Sequence, residues 1–253
     1  MNRFAVIVAL AGLVLGAPAR AEEADTLTPP SQSWSFAGPL GTVDQAAAQR
    51  GFQIYADACS NCHGLKYLHY RDLSGIGFTD SQIKEIAARF TVPAGFDNQG
   101  NLVTKPATPA SPFRPPFPND EAARAMLNGA LPPDLSLIVS SFPNGPNYIY
   151  ALLTGYRDAP AEVKLADGMN YNPYFPGHQI AMPPPLNEGD ITYTDGTVST
   201  VAQNAHDVVT FLAWAAHPDM VQRKRIGIGV VLYFLGMAGV TFALKRRIWH
   251  GVH

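Results

Sequence analysis

The stretch "CSNCHG" (59–64) holds both cysteines of the chain, Cys59 and Cys62, three apart, with His63 directly after the second. Four chemistries use such a triplet. A disulfide over two intervening residues closes almost no loop, so it would remove little unfolded-state entropy from a chain of 253 residues. Structural zinc takes four ligands, and no second Cys or His pair stands at metal spacing. A thioredoxin-like redox pair belongs at a strand-to-helix junction in a βαβ pattern, which the flanking sequence lacks. The fourth chemistry is C-x-x-C-H, covalent attachment of haem c, and it uses every member. The two thiols form thioethers with the two vinyl groups, and the adjacent imidazole lies under the iron as an axial ligand. One covalently bound haem c, held by Cys59 and Cys62 and ligated by His63, is therefore the expected cofactor.

Iron then has one axial position left, and its occupant separates electron transfer from catalysis. Methionine raises the potential and suits electron transfer, whereas an open position favours peroxidase or gas-binding chemistry. Met237 falls in a long apolar run, Met220 abuts a basic cluster, and Met126 reads as mid-helix core filling. Met169, in "DGMNYNP", and Met182, in "HQIAMPPPL", remain. Three prolines after Met182 hold its loop extended and limit the entropy lost in placing a ligand, which favours Met182 and leaves Met169 open. His178 and His69 read as loop or haem-edge residues.

Helices must position these groups. Residues 43–58 carry Ala48, Phe52 and Tyr55 on one face and run straight into Cys59. Residues 80–90 follow a Thr79–Gln82 capping box. Residues 120–128 lie between an Asn119 cap and Gly129, and residues 146–154 between Pro146 and Gly155. Residues 201–216 carry Val208, Phe211, Leu212 and Ala215, with Thr200 and Gln203 spaced as a second capping box. The one strand signal is a short hairpin near "ITYTDGTVST" (191–200). Proline clusters at 106–118, 132–133, 173–176 and 183–185 read as long ordered loops. The expected fold is mainly α, a cytochrome c-like haem domain with long Pro-rich loops, whose first and last helices cross at Gly51.

The ends of the chain give its topology. Arg3, the apolar run 4–15 and the Ala19-Arg20-Ala21 site predict a signal peptide at residues 1–21. Residues 226–244 are nineteen uncharged residues without a polar stripe, about 28 Å as a helix and enough to span a bilayer. Equal basic flanks, 223–225 and 245–247, leave orientation to the signal peptide. The domain plan is thus a periplasmic haem domain at 22–222, a transmembrane anchor at 223–247 and a cytoplasmic tail at 248–253, single-pass in a bacterial inner membrane. Residues 22–222 hold all twenty acidic residues and ten of the basic ones, a formal charge of −10 against −2 for the whole chain.

"CSNCHGLKYLHYRDLSG" (59–75), "EAARAMLNGALPPDLSLIV" (121–139), "YALLTGY" (150–156), "YNPYFPGHQIAMPPPL" (171–186), "FLAWAAHPD" (211–219) and "RKRIG" (223–227) resemble, in order, the cytochrome c1 family. The resemblance implies a haem subunit of the cytochrome bc1 complex, passing single electrons from the Rieske iron–sulfur protein to a soluble or membrane-tethered cytochrome c, beside cytochrome b. It implies that Met182 is the sixth ligand, so that His63 and Met182 hold the iron. It also implies that Pro133, Ile138, Tyr148, Leu152, Leu153, Phe175, Ile180 and Pro185 line the haem, and that no residue is catalytic. Two features depart from the family. Where a basic stretch commonly pairs a haem propionate, this chain has Ser140, Ser141 and Phe142, leaving Tyr148, Arg124 or Arg157 as donors. A second cysteine pair, which braces the ligand loop in some bacterial relatives, is missing. The rival readings are a peroxidase-type haem enzyme with an open sixth position, and a cytochrome subunit of another periplasmic dehydrogenase or oxidase.

Overall fold

The computed structural model describes residues 26–251. The expected signal peptide lies outside them. Helix α1 spans Gln45–Asp57, with Asp44 accepting from Ala47 N at its start. Its buried face carries Ala48, Phe52 and Tyr55, as the 3.6-residue period predicts. A seven-residue 3-10 segment, Tyr70–Ile76, leads to α2, Asp80–Ala88, where Thr79 and Gln82 form the expected capping box. Helix α3 is Asp120–Met126, capped by Asn119, and α4 is Gly145–Thr154. Helix α5, Val201–Ala216, is buried along most of its length. At its start Thr200 accepts from Gln203 N, and the reciprocal bond of a full capping box is not formed among the described residues.

The core forms where α1 crosses α5. A Cβ on Gly51 would overlap the Asp207 carbonyl and lie 2.7 Å from the Phe211 Cβ, so only glycine lets the two backbones approach this closely. Phe52 and Tyr55 meet Phe211 at ring distances of 5.7 and 5.8 Å, and Trp214 continues the stack. Each such side chain, fully buried, contributes roughly 1.5–3 kcal/mol of transfer free energy. Beside this contact Arg50 grips Asp207 through Nε (2.6 Å) and Nη2 (3.1 Å) and reaches Asp195 at 2.8 Å.

Three expectations need correction. Residues 191–200 form no strands. Tyr193 instead bonds Asn204 on α5 and Asp195 bonds Arg50, so both side chains tie the loop to helices. The longer hairpin lies elsewhere: β1 (Thr91–Phe96) pairs antiparallel with β2 (Leu102–Pro106) and is exposed on both faces. Met126 is no core residue: α3 ends there and the side chain is 73% exposed.

Helix α6, Met220–Trp249, is the one helix among the described residues long and apolar enough to cross a membrane. It contains the predicted run 226–244 and extends through both basic flanks. Lys224 near its start donates to the carbonyls of Phe36 (2.6 Å) and Gly41 (3.0 Å), which fastens the segment before α1 to α6.

Candidate haem-attachment site

Helix α1 ends where the site begins. A 3-10 turn at Cys59–Asn61 follows it, and the Cys59 carbonyl accepts from the N–H groups of both Cys62 (3.1 Å) and His63 (2.9 Å). Ser60 Oγ donates to the Ala56 carbonyl at 2.7 Å, so the turn stays in register with the helix. Both cysteines are free thiols and half-buried. Burial pushes the Cys59 thiol up to about 12, with the neighbouring Cys62 adding to the shift. That environment suits a neutral sulfur or a thioether and disfavours a reactive thiolate. Among the described residues no three His, Cys, Asp or Glu side chains converge as ligands of one metal ion.

The segment after the turn is zipped to residues 133–136. His63 Nδ1 donates to the Pro133 carbonyl at 2.7 Å. Leu135 N donates to the Gly64 carbonyl (2.9 Å), and Lys66 N to Asp134 Oδ2 (3.0 Å). Ser136 completes the bracket, with its Oγ accepting from Tyr67 N and its N–H donating to Asp134 Oδ1. The bracket fixes the imidazole ring. With Nδ1–H spent on Pro133, the Nε2 lone pair is free for a metal, the orientation metal-bound histidines require. Burial lowers the His63 pKa, although the Pro133 bond and Asp134 act in the opposite direction, and this keeps the ring neutral and able to ligate.

Met182 is held from the other side of the chain. Its carbonyl accepts from Tyr156 Oη at 3.0 Å and Asn170 Nδ2 at 3.3 Å. Burial pushes the Tyr156 phenol well up, so it remains a neutral donor. The strands β3 (Asn170–Tyr171) and β4 (Gln179–Ile180) pair just before Met182. Buried Asn172 donates to the Leu152 carbonyl at 2.7 Å, which binds this loop to α4. The turn after α1, pinned to the Pro133 carbonyl, and the loop before the three prolines therefore carry the two expected ligands, and α4 lies between them in sequence. Of the expected lining residues, Leu152 and Ile180 are buried. Ile138, Tyr148, Leu153, Phe175 and Pro185 are half-buried, and Pro133 is exposed.

Among the donors considered for a propionate, Arg124 spends a bond on the Gly129 carbonyl (3.0 Å) and Arg157 stacks over the Tyr171 ring. Tyr148 packs against Phe142, with ring centres 4.6 Å apart. Ser140 bonds His217 at 2.9 Å. Sequence reasoning missed Tyr156, Asn170 and Asp134, whose roles come from contacts 12 to 68 residues apart in the chain.

The donor set fits haem c: two thiols on one turn, an imidazole with a free Nε2, and a thioether on a braced loop. A helix that crosses its C-terminal counterpart at a glycine and runs into C-x-x-C-H is the frame of a cytochrome c-type haem domain, here joined to one membrane-length helix. The Cytochrome C1 family profile matches residues 34–252. Cytochrome c1 of Rhodospirillum rubrum is 44% identical, covering 98% of this chain and 97% of that protein. A mitochondrial cytochrome c1-2, heme protein, of Solanum tuberosum is 45% identical over 91% of this chain and 88% of its own length. A protein named cytochrome b/c1, of Bradyrhizobium diazoefficiens, is 40% identical over 98% of this chain, which spans 39% of that longer protein. The chain belongs to the cytochrome c1 family, the haem subunit of the cytochrome bc1 complex.

Proposed function

We propose that this chain takes single electrons from the Rieske iron–sulfur protein and gives them to a soluble or membrane-tethered cytochrome c, within quinol–cytochrome c oxidoreductase. Haem c, when bound, supplies a one-electron iron couple. Cys59 and Cys62 hold it as thioethers, and His63 and Met182 are the axial ligands. The Pro133 carbonyl fixes the His63 ring, while Tyr156 and Asn170 fix the backbone that carries Met182. Pro133, Ile138, Tyr148, Leu152, Leu153, Phe175, Ile180 and Pro185 line the cofactor and keep water from it. No side chain of this set moves a substrate proton; in this reading quinol oxidation belongs to the partner subunits, and the enzyme is the complex.

The proposed topology follows from the same reading. Residues 22–222 form the head in the periplasm, 223–247 the anchor in lipid, and 248–253 the cytoplasmic tail. The relative named cytochrome b/c1 supports a place beside cytochrome b. The observation that carries the function is the His63 ring held through Nδ1 in a C-x-x-C-H turn, since it leaves Nε2 for iron. The test is the absorption spectrum of the reduced complex, purified through a tag on this chain. A c-type band of six-coordinate iron, together with b-type bands, is expected. A five-coordinate spectrum that shifts with carbon monoxide, or a preparation without b-type haem, would refute it.

A further inference from the structure

A cavity of about 270 Å3 lies against Ser60 and Asn61, and none of the expected haem residues lines it. Its walls are aromatic. Tyr70 stacks on Phe113 (4.5 Å) and on Phe90 (5.5 Å), and Phe52 closes the inner end. Arg114 stands at the mouth, exposed, and Pro115 and Pro116 form the outer rim.

Two polar groups in this cavity lack the partners their chemistry calls for. Tyr70 is 1% exposed, yet its hydroxyl makes no hydrogen bond among the described residues. The hydroxyl belongs to a residue on the cavity wall, so a ligand there can take its hydrogen bond. Arg114 makes one long bond, 3.4 Å, to Thr91 Oγ1, and no ion pair among the described residues. The other hydroxyls are taken: Ser60 donates to Ala56 and Tyr55 to the His63 carbonyl. No carboxylate lines the cavity. It therefore combines flat apolar walls with a cation and one spare hydroxyl donor. Burial pushes the Tyr70 phenol up to about 12, against a smaller opposing pull from Arg114, so at neutral pH it donates and does not repel an anion.

We propose that this cavity is a binding site for a small aromatic carboxylate, with the carboxylate between Arg114 and the Tyr70 hydroxyl and the ring against the aromatic wall. A guanidinium fork matches a carboxylate. Offset and edge-on ring contacts suit the walls. The volume falls just under the roughly 300–1,000 Å3 of drug-sized sites, which limits the occupant to about one ring.

Benzoate is the probe, titrated calorimetrically into the haem-loaded full-length chain in its detergent-solubilised complex. Saturable binding is expected in the millimolar range or tighter. Acetate, which lacks the ring, and benzyl alcohol, which lacks the charge, should bind much more weakly. Arg114→Ala should weaken benzoate about tenfold and Tyr70→Phe about threefold, the losses typical of one charged and one neutral hydrogen bond. Arg114 is exposed, so its replacement leaves the core intact, and an unchanged haem spectrum verifies this for both variants. Failure to saturate at millimolar benzoate, or wild-type affinity in either variant, overturns the proposal.

Discussion

Met182 reaches its place through its own backbone, because Tyr156 and Asn170 bond its carbonyl and leave the thioether to the proposed iron. Replacing the side chain therefore tests ligation without loosening the loop. Met182→Leu should retain covalent haem, since Cys59, Cys62 and His63 are untouched. It should lower the reduction potential by on the order of 100 mV or more, within the span of about 0.8 V that axial ligands command, and open the iron to carbon monoxide. A redox titration that returns the wild-type potential would remove Met182 from the site and leave Met169 as the candidate. At this scale the sequence was legible where chemistry is local. C-x-x-C-H is five residues of text, and three consecutive prolines mark the ligand loop. The groups that aim those ligands were hidden. Pro133 lies 70 residues from His63 and Tyr156 lies 26 from Met182, so no spacing rule joins them.

Helices were readable because burial on one face imposes a period, and because Asp44, Thr79, Asn119 and Thr200 cap them with side-chain bonds. The hairpin of β1 and β2 was not, for a physical reason. Pro93, Gly95 and Pro106 interrupt it, and with nearly every residue exposed there is no inward face to impose alternation. The stretch 191–200 misled in the opposite sense, because its side chains serve helices α1 and α5 and not a strand partner. The crossing of α1 and α5 makes the clearest energetic statement at this scale. Asp207 is fully buried, and Arg50 is its cationic partner within 3.1 Å. Arg50→Met should cost about 3–5 kcal/mol, because it leaves a buried carboxylate without its cation. The pH dependence has a definite sign. Burial alone would raise the Asp207 pKa, but hydrogen bonds from His206, Arg50 and Gln203 outweigh it and hold the carboxyl below its ordinary value. A depressed carboxylate adds stability above its unfolded pKa of about 3.9 and loses it as pH falls through the folded value. Denaturant melts of the haem-loaded protein should show the Arg50→Met deficit at neutral pH and its shrinkage in acid. A deficit constant down to pH 2–3 would mean that Asp207 is not the group involved.

For the whole molecule the junction between head and anchor governs what can be separated. Lys224 belongs to α6 but bonds the Phe36 and Gly41 carbonyls of the head, so a cut after Asp219 discards a contact that a cut after Arg225 keeps. Both truncations should release a soluble haem-loaded head from membranes. The shorter one should melt earlier, by an amount matching a charged hydrogen bond of about 1.5–3 kcal/mol. Equal melting temperatures would assign Lys224 to lipid and not to the head. Charge distribution then bears on how the released or anchored head meets its electron partner. Six of the eighteen basic residues flank the apolar run and two lie in the expected signal peptide, so residues 22–222 carry ten cations against twenty acids. A net charge of −10 on the proposed periplasmic head does more than keep it soluble if its field reaches an incoming basic cytochrome. Such attraction decays over about 8 Å at physiological ionic strength and acts on the encounter rate more than on the bound state. The second-order rate of electron transfer to a basic cytochrome c should therefore fall steeply as salt is added, while the first-order rate within the bound pair changes little. Stopped-flow measurements across a salt series separate the two. A flat second-order rate would leave the acidic head as a solubility feature and place recognition in apolar contacts alone.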